Sequence, residues 1–163
     1  MIRYNTAKVA LLAAVLLAFE ITLFDALSFR GARAEPLLTL ACFAALYARD
    51  ARQGMLASWI VGLFKDLGSA GPFGLYALLC LASCIAILRV KQVLWRGHAI
   101  TQVFAAFLAA FGVNVAAALF VSATAGGLPF APVLAKTLFS AALTAAATPV
   151  LLFLITRVKW LVR

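Results

Sequence analysis

The chemistry open to this chain is bounded by its supply of reactive side chains: five acids, one histidine and three cysteines in 163 residues. Catalysis needs a nucleophile, a base and an orienting group within reach of one another. His98, the single imidazole, stands among Arg89, Lys91 and Arg96, a setting that reads as a solvated basic connector. Cys80 and Cys84 share a helix face at i, i+4, but no histidine or carboxylate stands near them at ligand spacing. They read as small packing residues, and with Cys42 the odd count gives no disulfide framework. No Walker loop, H-E-x-x-H helix or paired-carboxylate phosphotransfer motif occurs. The expectation is a protein that is not an enzyme, with no cofactor and no metal.

What remains is a set of polar residues set within apolar runs: Glu20, Asp25, Lys65, Asp66 and Lys136, with Asn114 as an uncharged companion. Ionisable groups in hydrocarbon are costly, and they mark either functional sites or pairs that fix helix register. Asp25, Lys65, Asp66 and Lys136 fall toward one end of their runs, where opposite charges can meet and offset one another's desolvation. Glu20 lies deeper, about 140° around its helix from Asp25 at 100° per residue. A proton, Asn114 or a hydroxyl can each answer its charge.

The elements that carry these residues are apolar segments following one another along the whole chain. Hydrophobic residues make up 66% and charged residues 12%, with a mean hydropathy of +1.10, against roughly a quarter charged in globular proteins. A crossing helix needs about 20 mostly apolar residues to pass about 30 Å of hydrocarbon. Six spans are expected, near 7–29, 34–48, 54–69, 72–90, 100–124 and 132–156, forming a single integral membrane domain over 1–163. The second is short, rising only about 20 Å from Pro36 to Ala48, so it borrows flanking residues, stops short of full depth, or forms half of a re-entrant pair with the third.

Basic residues set the orientation, because cytoplasmic loops retain Lys and Arg. With the N-terminus inside, one side collects Arg3, Lys8, Arg49, Arg52, Arg89, Lys91, Arg96, Arg157, Lys159 and Arg163, and the other keeps Arg30, Arg33, Lys65 and Lys136. Both termini are therefore expected in the cytoplasm. The net charge of +9 is spread over helix ends rather than gathered in one soluble patch, which points to anionic lipid headgroups and away from nucleic acid. Arg3 and Lys8 before an apolar run resemble a secretory signal, but the run is too long and carries Glu20 and Asp25, so it is expected to stay as an anchor.

Small residues repeat at helical spacing within the spans: Ala10, Ala14 and Ala18 in the first, Gly54, Ser58 and Gly62 in the third, Ala141 and Ala145 in the sixth. Such faces let helices approach closely, either inside the bundle or with a partner's membrane helix. The sixth span adds a hydroxyl stripe of Thr137, Ser140, Thr144 and Thr148, expected to face inward with hydroxyls free to bond i−4 carbonyls. Pro149 removes one backbone donor from the same helix.

The most distinctive segment, Gly62 to Tyr76, joins the third and fourth spans. Gly68 and Gly71 permit a tight reversal, Pro72 suits a first helical turn, and Asp66 falls near the N-terminal dipole of the next helix. Gly-x-x-x-Asp followed by a Pro-containing turn and a further Gly, here Gly62, Asp66, Pro72 and Gly74, resembles the rod shape-determining protein MreD family. Length, six-span layout and short loops extend the resemblance over the whole chain, while Lys65 is a charge the family pattern does not demand.

The resemblance implies a multi-pass protein of the bacterial cytoplasmic (inner) membrane. It implies a non-enzymatic scaffold that binds MreC directly and works with MreB, a RodA-type glycosyltransferase and its transpeptidase partner in peptidoglycan synthesis. It also implies a fold similar to the six-helix substrate-binding subunits of vitamin transporters. The alternative function is such a transporter subunit, with Phe73, Tyr76 and Phe130 converging on a small molecule. A third reading is an ion or proton carrier using Glu20.

Overall fold

The structure, a computed structural model, describes residues 6–24, 34–48, 50–69, 71–90, 99–125 and 130–157. All regular structure among them is helical: α1 (Thr6–Phe19), α2 (Pro36–Tyr47), α3 (Ala51–Leu67), α4 (Leu75–Val90), α5 (Ala99–Ala125) and α6 (Phe130–Arg157). Each expected segment contains a helix, with the described ends shifted by up to three residues, and residues 25–29 of the first segment lie outside the described residues. The first does not run on as a plain α-helix: α1 passes into a π-helical turn at Glu20–Phe24. The fourth begins at Leu75 rather than Pro72.

α2 lies at the centre. Pro36, with its fixed φ and no N–H to leave unpaired, opens the helix at its first position, and every residue from Pro36 to Leu46 is buried. α1, α3, α4, α5 and α6 all pack against it. Its 12 residues rise about 18 Å, well short of the hydrocarbon thickness. By contrast α5 and α6 contain Gln102–Thr124 and Pro132–Leu151, each long and apolar enough to cross a membrane.

The core is built from small residues, which is what lets five helices crowd around so short an axis. Ala13, Ala44, Ala57, Ala110 and Ala141 are buried beside Leu37, Leu40, Phe43 and Val61. At Gly62 the α3 and α4 backbones approach so closely that an added Cβ would stand 2.5 Å from Ala77 Cα and 2.8 Å from the Tyr76 carbonyl oxygen. Gly54 faces Ala48 and the Cys84 sulfur, and the Ser58 hydroxyl donates to the Ala41 carbonyl at 3.3 Å.

Polar and apolar groups are distributed inside out. Glu20, Glu35, Thr39, Ser58, Lys65, Asp66, Asn114, Ser140, Thr144 and Thr148 are buried. Leu11, Val15 and Phe19 of α1, Trp59 of α3, Leu78 of α4, Phe104 and Leu108 of α5 and Leu138 and Phe153 of α6 are exposed. A large-apolar perimeter around a core that encloses charged and polar groups is the arrangement that hydrocarbon, not water, stabilises.

Candidate functional site

The Asp66 turn closes one side of the site. α3 stops at Gly68, where Ser69 donates both its backbone N–H and its hydroxyl to the Asp66 carbonyl, each at 3.2 Å. Gly74 then takes φ +95°, a left-handed conformation that costs little only without a Cβ, and turns the chain into α4. The Asp66 side chain reaches across: Oδ1 accepts from the Tyr76 N–H at 2.9 Å and Oδ2 from the Ala77 N–H at 3.0 Å. These are first-turn donors of α4, which have no partner within their own helix, so a carboxylate from α3 caps the positive end of α4.

One residue back, Lys65 points into the bundle. Its ammonium donates to Glu20 Oε1 at 2.5 Å, stands 3.5 Å from Glu35 Oε2 and lies 5.7 Å from the centre of the Tyr76 ring. Glu35 collects the other partners. Asn114 Nδ2 of α5 donates to Oε2 at 3.1 Å, Ser140 of α6 donates to Oε1 at 3.3 Å, and the Glu35 backbone N–H donates to the Thr144 hydroxyl at 3.0 Å. Glu35 occupies the position just before α2 but makes no side-chain cap there, because its carboxylate is turned toward α3, α5 and α6.

This network sits deep. Asn114 and Ser140 lie about 15 Å along α5 and α6 from the ends that those helices share, about half the hydrocarbon thickness. Below it the seam continues as hydroxyls: Thr144 donates to the Ser140 carbonyl and Thr148 to the Thr144 carbonyl, both at 2.8 Å, and Thr39 of α2 meets Thr148 at 3.5 Å. At the far end of α2, Gln102 Nε2 donates to the Tyr47 hydroxyl at 2.6 Å. Residues from all six helices are therefore tied through one interior, and among the described residues no cluster of histidines, cysteines or acids is arranged to hold a metal.

Compared with known families, the chain matches the model for the rod shape-determining protein MreD over residues 2–155. It belongs to that family. MreD proteins are membrane proteins of rod shape determination, and the chain shares that coarse role. No curated protein and no solved structure matches the chain.

Placed on this MreD structure, the residues singled out from sequence divide into three groups. Gly62, Asp66 and Gly74 act together at the α3–α4 reversal, and Pro72 accepts from the Leu75 N–H at 3.3 Å in the turn preceding α4. Glu20, Lys65 and Asn114 enter the buried network, with Glu20 meeting Lys65 and Asn114 meeting Glu35 rather than Glu20. Lys136 does not join them. It is exposed, as are most residues from Pro132 to Phe139, because this stretch of α6 rises past the start of the shorter α2 and meets α5 along one side, through Val133 and Thr137. Asp25 lies outside the described residues.

The small-residue faces separate as well. Gly54, Ser58 and Gly62 are buried against α2 and α4 and leave no surface for a partner. On α1 the inward face is Val9 and Ala13; Ala10 is half-buried, and Ala14 and Ala18 face out. The aromatic convergence expected of a vitamin site does not form: Phe73 is 72% exposed while Tyr76 lies over Lys65, and the side chain of Phe130 lies outside those described. Glu35 was absent from the sequence candidates, although it is the residue on which most of the network converges.

Proposed function

We propose that this protein is a non-enzymatic, six-span scaffold of the bacterial inner membrane, with both termini in the cytoplasm, that receives the single membrane helix of MreC on the outer face of α1. In that role it supports peptidoglycan synthesis with MreB and the RodA-type glycosyltransferase and its transpeptidase partner. The observation that carries the reading is the exposed Ala14–Ala18 face, flanked by Leu11 and Val15, on a helix that among the described residues packs mainly against α3 and α2. Small residues admit a second backbone at close range, and close packing is what drives helix association in lipid. The ten-to-four bias of basic residues supports the orientation. The inside-out side-chain distribution supports the membrane location.

Ala14→Leu fills the proposed groove without touching the core, whereas Ala82→Leu adds the same bulk to the exposed side of α4. Copurification of MreC from native membranes should fall at least several-fold with Ala14→Leu and persist with Ala82→Leu. Equal recovery from both variants would remove α1 as the docking helix.

A further inference from the structure

α5 and α6 do not close fully on each other toward the end where α5 stops and α6 begins. From Val115 to Ser122 on α5 and from Val133 to Thr137 on α6, they line a cleft of about 300 Å3 that opens to the surroundings of the bundle. Two hydroxyls stand on its walls, and the protons of both are engaged by their own helices. Ser122 donates to the Leu119 carbonyl and Thr137 to the Leu134 carbonyl, each at 2.9 Å. The lining therefore offers no free donor and suits a hydrocarbon chain better than a polar ligand. Both helices contain stretches long and apolar enough to cross a membrane, and a gap on their surface loses dispersion contacts unless hydrocarbon enters it.

Lys136 stands at the rim of this cleft. It precedes Thr137 and follows Val133 by three residues, a spacing that makes neighbours on a helix surface. It is exposed, and no carboxylate pairs with it among the described residues. Along α6 it lies about 9 Å inside Phe130, where the helix begins. An ammonium at that depth is costly in hydrocarbon without a counter-ion, and its flexible stem lets it reach toward the headgroup layer. The anion of that layer is phosphate, which lysine binds as a point charge. A zwitterionic headgroup brings its own cation to the phosphate, so the lysine favours a lipid with net negative charge. We propose that an anionic phospholipid binds here, with one acyl chain along the α5–α6 cleft and its phosphate on the Lys136 ammonium. The site rests on the membrane setting alone and is independent of where MreC docks.

Native mass spectrometry of the whole protein, released from mild detergent containing equal amounts of phosphatidylglycerol and phosphatidylcholine with matched acyl chains, tests this. The wild type should retain phosphatidylglycerol several-fold more than phosphatidylcholine. Lys136→Gln, at an exposed position, should bring the two to parity. Arg89→Gln, which removes an exposed cation at the opposite end of the bundle, should leave the preference intact. Ala118→Leu fills the cleft and, at unchanged helicity by circular dichroism, should lower retention of both lipids several-fold. Excess glycerol phosphate, which carries the charge without the chains, should not displace the bound lipid. Parity in the wild type, a preference that survives Lys136→Gln, or an equal loss in Arg89→Gln would each overturn the proposal. So would full retention in Ala118→Leu or displacement by glycerol phosphate.

Discussion

One methyl group added at Gly62 probes the contact on which the Asp66 cap depends. The new Cβ would lie 2.5 Å from Ala77 Cα and 2.8 Å from the Tyr76 oxygen, both backbone atoms that no rotamer change can move aside. Carbon atoms pack at about 3.5–4.0 Å, so α3 and α4 must part by about 1 Å. The same two residues donate to Asp66 at 2.9 and 3.0 Å, and that displacement carries both bonds beyond the roughly 3.2 Å limit. Each bond to a charged acceptor contributes about 1.5–3 kcal/mol, and overpacking adds about 1–3 kcal/mol. Alanine's helix propensity returns only about 1 kcal/mol. Gly62→Ala should therefore destabilise the protein by about 3 kcal/mol or more, read by circular dichroism during unfolding in mixed detergent micelles. In a double-mutant cycle with Asp66→Asn the two losses should overlap by about 1.5 kcal/mol, because each disrupts the same pair of bonds. A Gly62→Ala protein as stable as the wild type, or additivity within about 0.5 kcal/mol, would refute the linkage.

Lys65→Met removes the only cation among the described buried residues and leaves Glu20 and Glu35 without an ion-pair partner there; a loss of about 3–5 kcal/mol is expected in the same unfolding assay, and a change below 1 kcal/mol would contradict it. Lys136→Gln, at an exposed position, should stay within about 0.5 kcal/mol of the wild type in that assay, and a larger loss would contradict its exposed placement.

The helices were legible because each apolar run is bounded by charge, glycine or proline, and the Asp66 cap was legible because a short glycine-bearing turn brings an acid at one helix end close to the start of the next. Most of the inward hydroxyl stripe of α6 followed from 3.6-residue spacing: Ser140, Thr144 and Thr148 are buried, whereas Thr137 is only half-buried and donates to its own Leu134 carbonyl. Glu35 was missed although it falls within the expected second span, 34–48, because as the second residue of that span, just before Pro36, it reads as lying at the membrane edge. The signal lay in α2 itself: a helix of 12 residues cannot reach both surfaces, so its first residue starts at depth and an acid beside it enters the interior. Lys136 fails for the converse reason. A residue near the start of a long helix extends past shorter neighbours, and sequence spacing does not report how helices of unequal length are offset. The small-residue stripes of α1 and α3 look alike in sequence; only the positions of α2 and α4 determine that one is filled and the other open.

Glu35 and the side chains that answer it are far apart in the chain: Asn114 is 79 residues away and Ser140 is 105. At about 5–20 residues per second of translation, α2 leaves the ribosome about 5–20 s before the last of these partners has been made. During that interval Lys65 of the same hairpin can meet the acid, but the hydrogen bonds that complete its shell are still missing, and in lipid that shortfall is costly. Biogenesis therefore ends with the arrival of α5 and α6, and a product truncated before them carries a marker that membrane quality control can recognise.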